Sequence, residues 1–364
     1  MVLGLEHGVT YSTGGDAFTL NSAIAGQIKD AQVQGAQLVL RSILSYTAAA
    51  RSVGGGAKAF EDATKFLVGN MLRSMSRKLE IELFYGQVGI GVVYAAGSGT
   101  SETGASVGAN QLAIKANDWA PGVWAGAESM PLDVRTGALG SSRGTCNVTS
   151  IDMTNRIVTV DSLPASTQLN DAVFISGSFG NEFAGVHKIL TNASMLFNID
   201  AATYALWAGN TFDCGGTALS FTKIQSAVAR AVEKGLDGEV MVLVNPRGWA
   251  NLLTDQAALR MFDSSYKSGE VENGAESIKF FGQNGKIEIQ PSIFVKEGYA
   301  YILCKDEWIR VGSTDITFKR PGQGEEFFRD LETAAGYELR AFTDQAAFCS
   351  APGKQVVMKN IQNS

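Results

Sequence analysis

Histidine and cysteine are scarce in this sequence, with 2 His and 4 Cys among 364 residues. Cys146, Cys214, Cys304 and Cys349 are widely spaced and form no Cys-x-x-Cys pair. Zinc sites are built from closely spaced thiolate and imidazole ligands, and neither His7 nor His187 stands beside a cysteine. No metal site is expected. The four thiols read as small buried hydrophobes of a reducing compartment. No stretch reaches the roughly 18 consecutive apolar residues of a membrane-spanning helix. Runs of about five or six Lys/Arg are also missing, so nothing tracks a phosphate backbone. Residues 1–15 carry Glu6 and no basic n-region, so no signal peptide is expected and synthesis is placed in a cytoplasm.

Catalytic signatures are equally thin. A phosphate-binding P-loop needs Gly-Lys followed by Ser or Thr. Gly285-Lys286 is followed by Ile287, and Gly353-Lys354 by Gln355. Gly89-Ile90-Gly91 lacks the third glycine of a dinucleotide fingerprint. No Gly-x-Ser-x-Gly element exists, and a nucleophilic triad needs a base, usually His. His187 lies in an apparent strand, Gly185 to Ile189, as a half-exposed residue. Glu325 and Glu326 are adjacent and point apart on a strand. No catalytic or cofactor-binding residue is expected. Asn147-Val148-Thr149 and Asn192-Ala193-Ser194 match the glycosylation sequon but read as chance matches.

Glycine, by contrast, is abundant at 41 residues, the hydrophobic share is 45%, and the net charge is −6. This fits an α+β chain, rich in sheet and turns, of two or three folding units. Residues 1–20 read as an irregular arm, and Asn21 as the cap of a helix bearing Ile24 and Ile28. Residues 36–53 suit strand or helix. From Ala57 to Gly86 the spacing predicts one long helix. Phe60, Leu67, Leu72 and Leu79 mark its buried stripe, and Glu61 stands four before Lys65 on the outer face. Residues 126–210 read as a small inserted β-unit, with a turn at 152–155. Beyond 215 the pattern is α/β. Ser220 caps a helix ended by Gly235, residues 240–244 form a buried strand, and Asn245-Pro246 starts a second helix. Asn284-Gly285 turns a hairpin. Trp119 and Trp124 flank a bend, where they suit a binding platform or an interface.

In order, these features resemble the major capsid protein of tailed bacteriophages, the Hong Kong 97-type fold. Val242 to Trp249 with Leu252-Leu253 looks like the strand-to-helix step of that family's A domain. Tyr337 to Arg340 through Phe348 and Pro352 looks like its closing sheet. Phe183 to Trp207 looks like the end of an insertion domain. The resemblance implies an N-arm over 1–35, an extended loop over 36–56 and the spine helix and P domain over 57–125. It further implies a β-insertion over 126–210 and an A domain over 211–364, with P-domain strands returning. The implied function is a structural shell protein that encloses phage DNA in a virion assembled in the host cytoplasm. Its implied partners are copies of itself as hexamers and pentamers, a scaffolding protein, a portal and a decoration protein. Arg41, Arg51, Trp119 and Trp124 are the candidate contacts between subunits. A tail or baseplate binding component, and an encapsulin-like cellular shell, are the alternatives.

Some members of that family cross-link a loop lysine to a neighbour's asparagine. Here residues 36–56 hold Arg41 and Arg51 but no lysine, and a guanidinium stays protonated. Mature particles boiled in SDS are therefore expected to run as one band near 38.6 kDa; a covalent ladder would contradict this.

Overall fold

The computed structural model describes residues 2–14, 18–45, 57–137, 140–254, 278–319, 328–331 and 335–363, excepting the side chains of 2–3 and 57–64. The chain divides into two compact units. The first holds residues 1–33, 187–309 and 349–364; the second holds 34–186 and 310–348. Strands dominate, so the α+β expectation holds.

The arm is extended. β1 (Val2–Gly4) pairs with β2 (Gln27–Ile28), and no helix starts at Asn21. The spacing of Ile24 and Ile28 suggested one, but the chain doubles back here, and a Cβ on Gly26 would meet Gly4 O at 2.8 Å. Next, β3 (Ala36–Ser45) resolves the strand-or-helix question for its residues in favour of strand. Its side chains alternate between half-buried and exposed. Residues 46–56, including Arg51, lie outside the described residues.

Helix α1 (Ala57–Tyr85) runs for 29 residues, as the apolar stripe predicts. The buried edge is rotated from the expected one. Met71 and Met75 pack against Leu339 and Ala341, with Leu67 and Val68 partly buried beside them. Leu79 is half-buried, and Leu72 is 38% exposed, a correction to its assignment to the core. Apolar residues cover too wide an arc of this helix for spacing alone to choose the edge that meets the sheet. Phe60's side chain is outside the described set.

A closed six-stranded barrel follows. Its strands are β4 (Gly91–Ala96), β5 (Gln111–Ile114), β6 (Pro131–Arg135), β7 (Ser142–Asp152), β8 (Ile157–Val160) and β9 (Ala172–Ile175). They close in the order β4-β5-β8-β7-β6-β9. The short helix α2 (Pro121–Trp124) sits between β5 and β6. The expected turn at 152–155 is present, where Asp152 Oδ1 accepts from the N–H groups of Thr154 (2.9 Å) and Asn155 (3.0 Å). The barrel starts at residue 91, so a domain boundary at 126 would cut through it.

In the first unit, α3 (Val186–Leu190) is a helical turn where a strand was expected. β10 (Met195–Leu196) and β11 (Ile199–Asp200) form a minimal hairpin. Then come β12 (Thr211–Thr217), α4 (Phe221–Val232), β13 (Val240–Val244), α5 (Pro246–Thr254), β14 (Ile278–Gly282), β15 (Gly285–Pro291) and β16 (Ala300–Cys304). Ser220 Oγ accepts from Lys223 N and caps α4, and Gly235 takes φ +90° just beyond its end. One α4 face, Ile224, Ala227, Val228 and Ala231, is buried on the sheet. That sheet has the order β12-β20-β16-β13-β15-β14, where β20 is Val356–Ile361.

The second unit is completed by β17 (Trp308–Thr317), β18 (Phe328–Asp330) and β19 (Gly336–Cys349). β19 pairs with β3 along ten residues, from Gly336 opposite Ser45 to Gln345 opposite Ala36. Its inward residues Leu339 and Ala341 cover α1.

An excised chain spanning 91–175 is expected to melt cooperatively with a β-type circular dichroism spectrum. The 126–210 piece lacks β4 and β5, leaves two barrel edges unpaired, and is expected to show no cooperative melt. Cooperative melting of 126–210 alone would overturn this boundary.

Candidate interaction surface

The outward face of the second unit's four-stranded sheet gathers charge and apolar surface together. Arg41 of β3 stands directly opposite Arg340 of β19. Like charges in cross-strand register repel, so a counter-charge is needed. Glu338, two residues along β19 and buried, supplies it. Arg41 Nε lies 3.1 Å from Glu338 Oε1. Arg340 Nε bonds the same oxygen, while its Nη2 donates to Oε2 at 3.2 Å. Hydrogen bonding to Arg340 holds the Glu338 carboxyl below the usual range, helped by the charges of both arginines. The same bond pushes the Arg340 guanidinium up.

Arg329 of β18 stands opposite Glu338, and its guanidinium sits 5.9 Å from the Phe342 ring centroid. Two guanidinium groups, of Arg41 and Arg340, thus share the Glu338 carboxylate. On the same strand face as Arg41, Val39 and Ile43 are 51% and 54% exposed. Val39 and Ile43 belong to the alternation that made 36–53 ambiguous in sequence. Glu338 was hidden because its role depends on a partner strand about three hundred residues away.

The arm is the other unusual surface. His7 N donates to Ile24 O at 3.1 Å, and Asn21 reaches Val9 O through Nδ2 at 2.9 Å. These bonds hold an open ribbon whose large apolar side chains face outward. Leu5, Val9, Tyr11, Phe18, Leu20, Ile24 and Ile28 are all more than half exposed, Tyr11 by 90%. Water-facing apolar residues in such density make the arm a candidate interaction surface.

Trp119 and Trp124 are not part of any surface. Both are fully buried and stack with ring centroids 5.5 Å apart and planes 11° from parallel. A Cβ on Gly91 of the barrel would meet the Trp124 ring at 3.2 Å. Barrel closure, which local spacing does not reveal, turns this pair inward. The subunit-contact and binding-platform expectations for the two tryptophans are corrected accordingly. Of the four candidate contacts, Arg41 alone is described with its side chain at a surface.

The cysteine thiols and the buried imidazole are muted. Burial pushes the thiols of Cys146 and Cys214 up to about 11 and of Cys349 up to about 12, so they stay protonated and unreactive at neutral pH. His187, expected to be half-exposed on a strand, instead packs edge-on against Tyr299 and lies 3.0 Å through Nδ1 from Tyr301 Oη. Burial first, then the Lys296 charge, drives its pKa down to about 3. Such an imidazole takes up almost no proton at neutral pH. Among the described residues, no cluster of His, Cys, Asp and Glu could hold a metal ion. A cavity of about 180 Å³ lies in the second unit, lined by residues of β3, α1 and the 175–182 segment, including Lys78, Glu82 and Glu182.

Neither a family model nor a curated protein matches the sequence. Solved structures do. The capsid asymmetric unit of cyanophage A-1(L) superposes with a TM-score of 0.50 at 12% identity, covering 100% of this chain and 87% of that one. The chain has the fold of a phage capsid protein. Also similar, at lower scores, are the satellite phage P4 procapsid with its size determination protein and a virus-like particle from Pyrococcus furiosus. The first has a TM-score of 0.39 at 8% identity and covers 97% and 79% of the two chains. The second has a TM-score of 0.26 at 14% identity and covers 41% and 54%. In the capsid fold of this chain, the arm and the β3/β19 face are the surfaces that stand out.

Glu338→Gln would leave Arg41 and Arg340 opposed without a full counter-charge. A lowered carboxyl pKa contributes stability above the ordinary carboxylate range and loses it as pH falls through the folded value. The variant is expected to melt below the wild type at pH 7, with the gap closing toward pH 3. A gap that stays constant across this range in thermal melts would show that the charge does not act there.

Proposed function

We propose that this chain is the repeating structural subunit of a closed protein shell, the head of a tailed phage enclosing DNA. The observation that carries the reading is the arm. Seven large apolar side chains face water in the single chain, on a fold shared with a phage capsid protein. Among the described residues of the single chain, none covers them. Neighbouring copies in a closed shell do, because each symmetric contact repeats around every axis. Individual contacts can be modest, since many act together.

The sheet face supports the same reading. Arg41, with Val39 and Ile43 on either side, presents a basic and apolar patch on a chain of net charge −6. An acidic region of a second copy fits it. Bare phosphate would leave the apolar residues uncovered. Hexamers and pentamers, a scaffolding protein, a portal and a decoration protein belong to this proposal as partners. Its setting is a virion assembled in the host cytoplasm, and its role is structural rather than catalytic. The tail or baseplate alternative drew on Trp119, Trp124 and the β-insertion; the burial of the two tryptophans removes their part of that support.

Expressed alone or with its scaffold, the chain is expected to give round hollow particles or capsomer rings by electron microscopy. Deleting residues 2–33, or replacing Arg41 by Glu, is expected to leave a folded chain that no longer closes into particles. Compact monomers from the wild type under all assembly conditions, or normal shells from the arm deletion, would overturn the proposal.

A further inference from the structure

The end of α1 is held by two carboxylates that belong to different segments. Glu82, in the last turn, accepts through Oε1 from the Phe183 N–H at 3.0 Å. Glu182, one residue before Phe183, accepts through Oε2 from the Gln87 N–H at 3.0 Å. Gln87 Nε2 returns a bond to Glu182 O at 3.0 Å, and Gly185 N donates to Gly86 O at 3.0 Å. Each segment therefore lends the other a carboxylate and takes one back.

The backbones have no room to slide. A Cβ on Gly86 would lie 2.2 Å from Phe183 O, and one on Gly185 would lie 2.6 Å from Gly86 N. Such a contact is either made or broken; it does not deform gradually. Both glutamates line the cavity of about 180 Å³. Facing them there, α1 contributes Lys78, β3 contributes the uncharged Gln37 and Leu38, and the 175–182 segment contributes Ser176, Ser178 and Asn181. Arg77 lies close enough to Lys78 to lower the lysine's pKa, an effect secondary to burial.

We propose that Glu82 and Glu182 form a proton-operated clasp, closed while a proton neutralises the pair and loosened when both carboxylates are ionised. Burial removes water from both groups, and a charge on either raises the cost of a charge on the other. For Glu82, burial is the first cause and the Glu182 charge a further one, against the Phe183 N–H, and together they push it up to about 7. Burial raises Glu182 as well, against the Gln87 N–H and the Ser178 hydroxyl. A carboxyl raised in the closed state binds more protons there than in the open state. The clasp is therefore tightest in acid, weakens as pH rises from the ordinary carboxyl range toward the raised value, and levels off above it. The clasp is independent of the shell reading and is measurable on unassembled chains.

Hydrogen exchange of the full chain, corrected for intrinsic rates, tests this. Protection of segments 82–88 and 181–186 is expected to fall about tenfold between pH 6 and pH 8, while barrel strand β8 shows no such fall. Glu82→Gln keeps an acceptor for Phe183 N without the charge, and it is expected to flatten the profile and raise protection at pH 8. Glu182→Gln is a second, separate route to the same flattening if the first variant does not fold. A flat wild-type profile, an equal fall in β8, or a slope that survives in both folded variants would overturn the proposal.

Discussion

The register of β19 against β3 governs the second unit. In a strand, successive side chains point to opposite faces, and a shift of one residue exchanges the faces entirely. In the observed register, Leu339 and Ala341 meet Met71 and Met75 of α1, while Glu338, Arg340 and Phe342 point away. A one-residue slip of β19 would drive Arg340 into the methionines and lift Leu339 into water. The ladder thus places the core and the basic outer face in a single step. It also creates the one local conflict, Arg41 opposite Arg340, that Glu338 resolves. Such a sheet gains little from each charge pair and much from having one admissible pairing.

How much of this could be read from residues alone follows from the range of each interaction. Helix α1, the Ser220 cap, the Gly235 stop, the buried strand at 240–244 and the Asn284-Gly285 hairpin are written in neighbours three or four positions apart, and they were legible. The edge of α1 that meets the sheet was not, because Phe66, Leu72 and Met75 are comparably apolar and only the partner decides among them. The barrel was missed at its start because β4 is closed by β9, some eighty residues later. His187 was misjudged because a single helical turn of Val-His-Lys-Ile-Leu carries too few residues to show its period. The arm imitated a helix through Ile24 and Ile28, but the close approach of Gly26 to Gly4 holds it extended. Of the surface itself, Arg41 was visible and Glu338 was not.

In the proposed shell, the charge distribution bears on how one copy meets the next. A chain with a pI near 5.2 repels its copies at long range, which restrains random aggregation. The guanidinium cluster around Glu338 reverses that sign locally. Attraction then depends on orientation, so a second chain is drawn toward one approach and turned away from others. Apolar residues beside the charges, Val39 and Ile43 on β3, add binding only after the surfaces have met. Steering and holding are thus done by different atoms of the same face.

The place of β20 in the first unit's sheet has a consequence for synthesis. This strand, Val356–Ile361, lies between β12 and β16 rather than at an edge. Until it leaves the ribosome, β12 has no neighbour among the described strands and the sheet is split, with Val356, Val357 and Met358 absent from the core they fill. Every earlier part of the unit must wait in an incomplete form. A chain interrupted during translation therefore carries an unfinished sheet, and only a chain translated through this strand has a completed one.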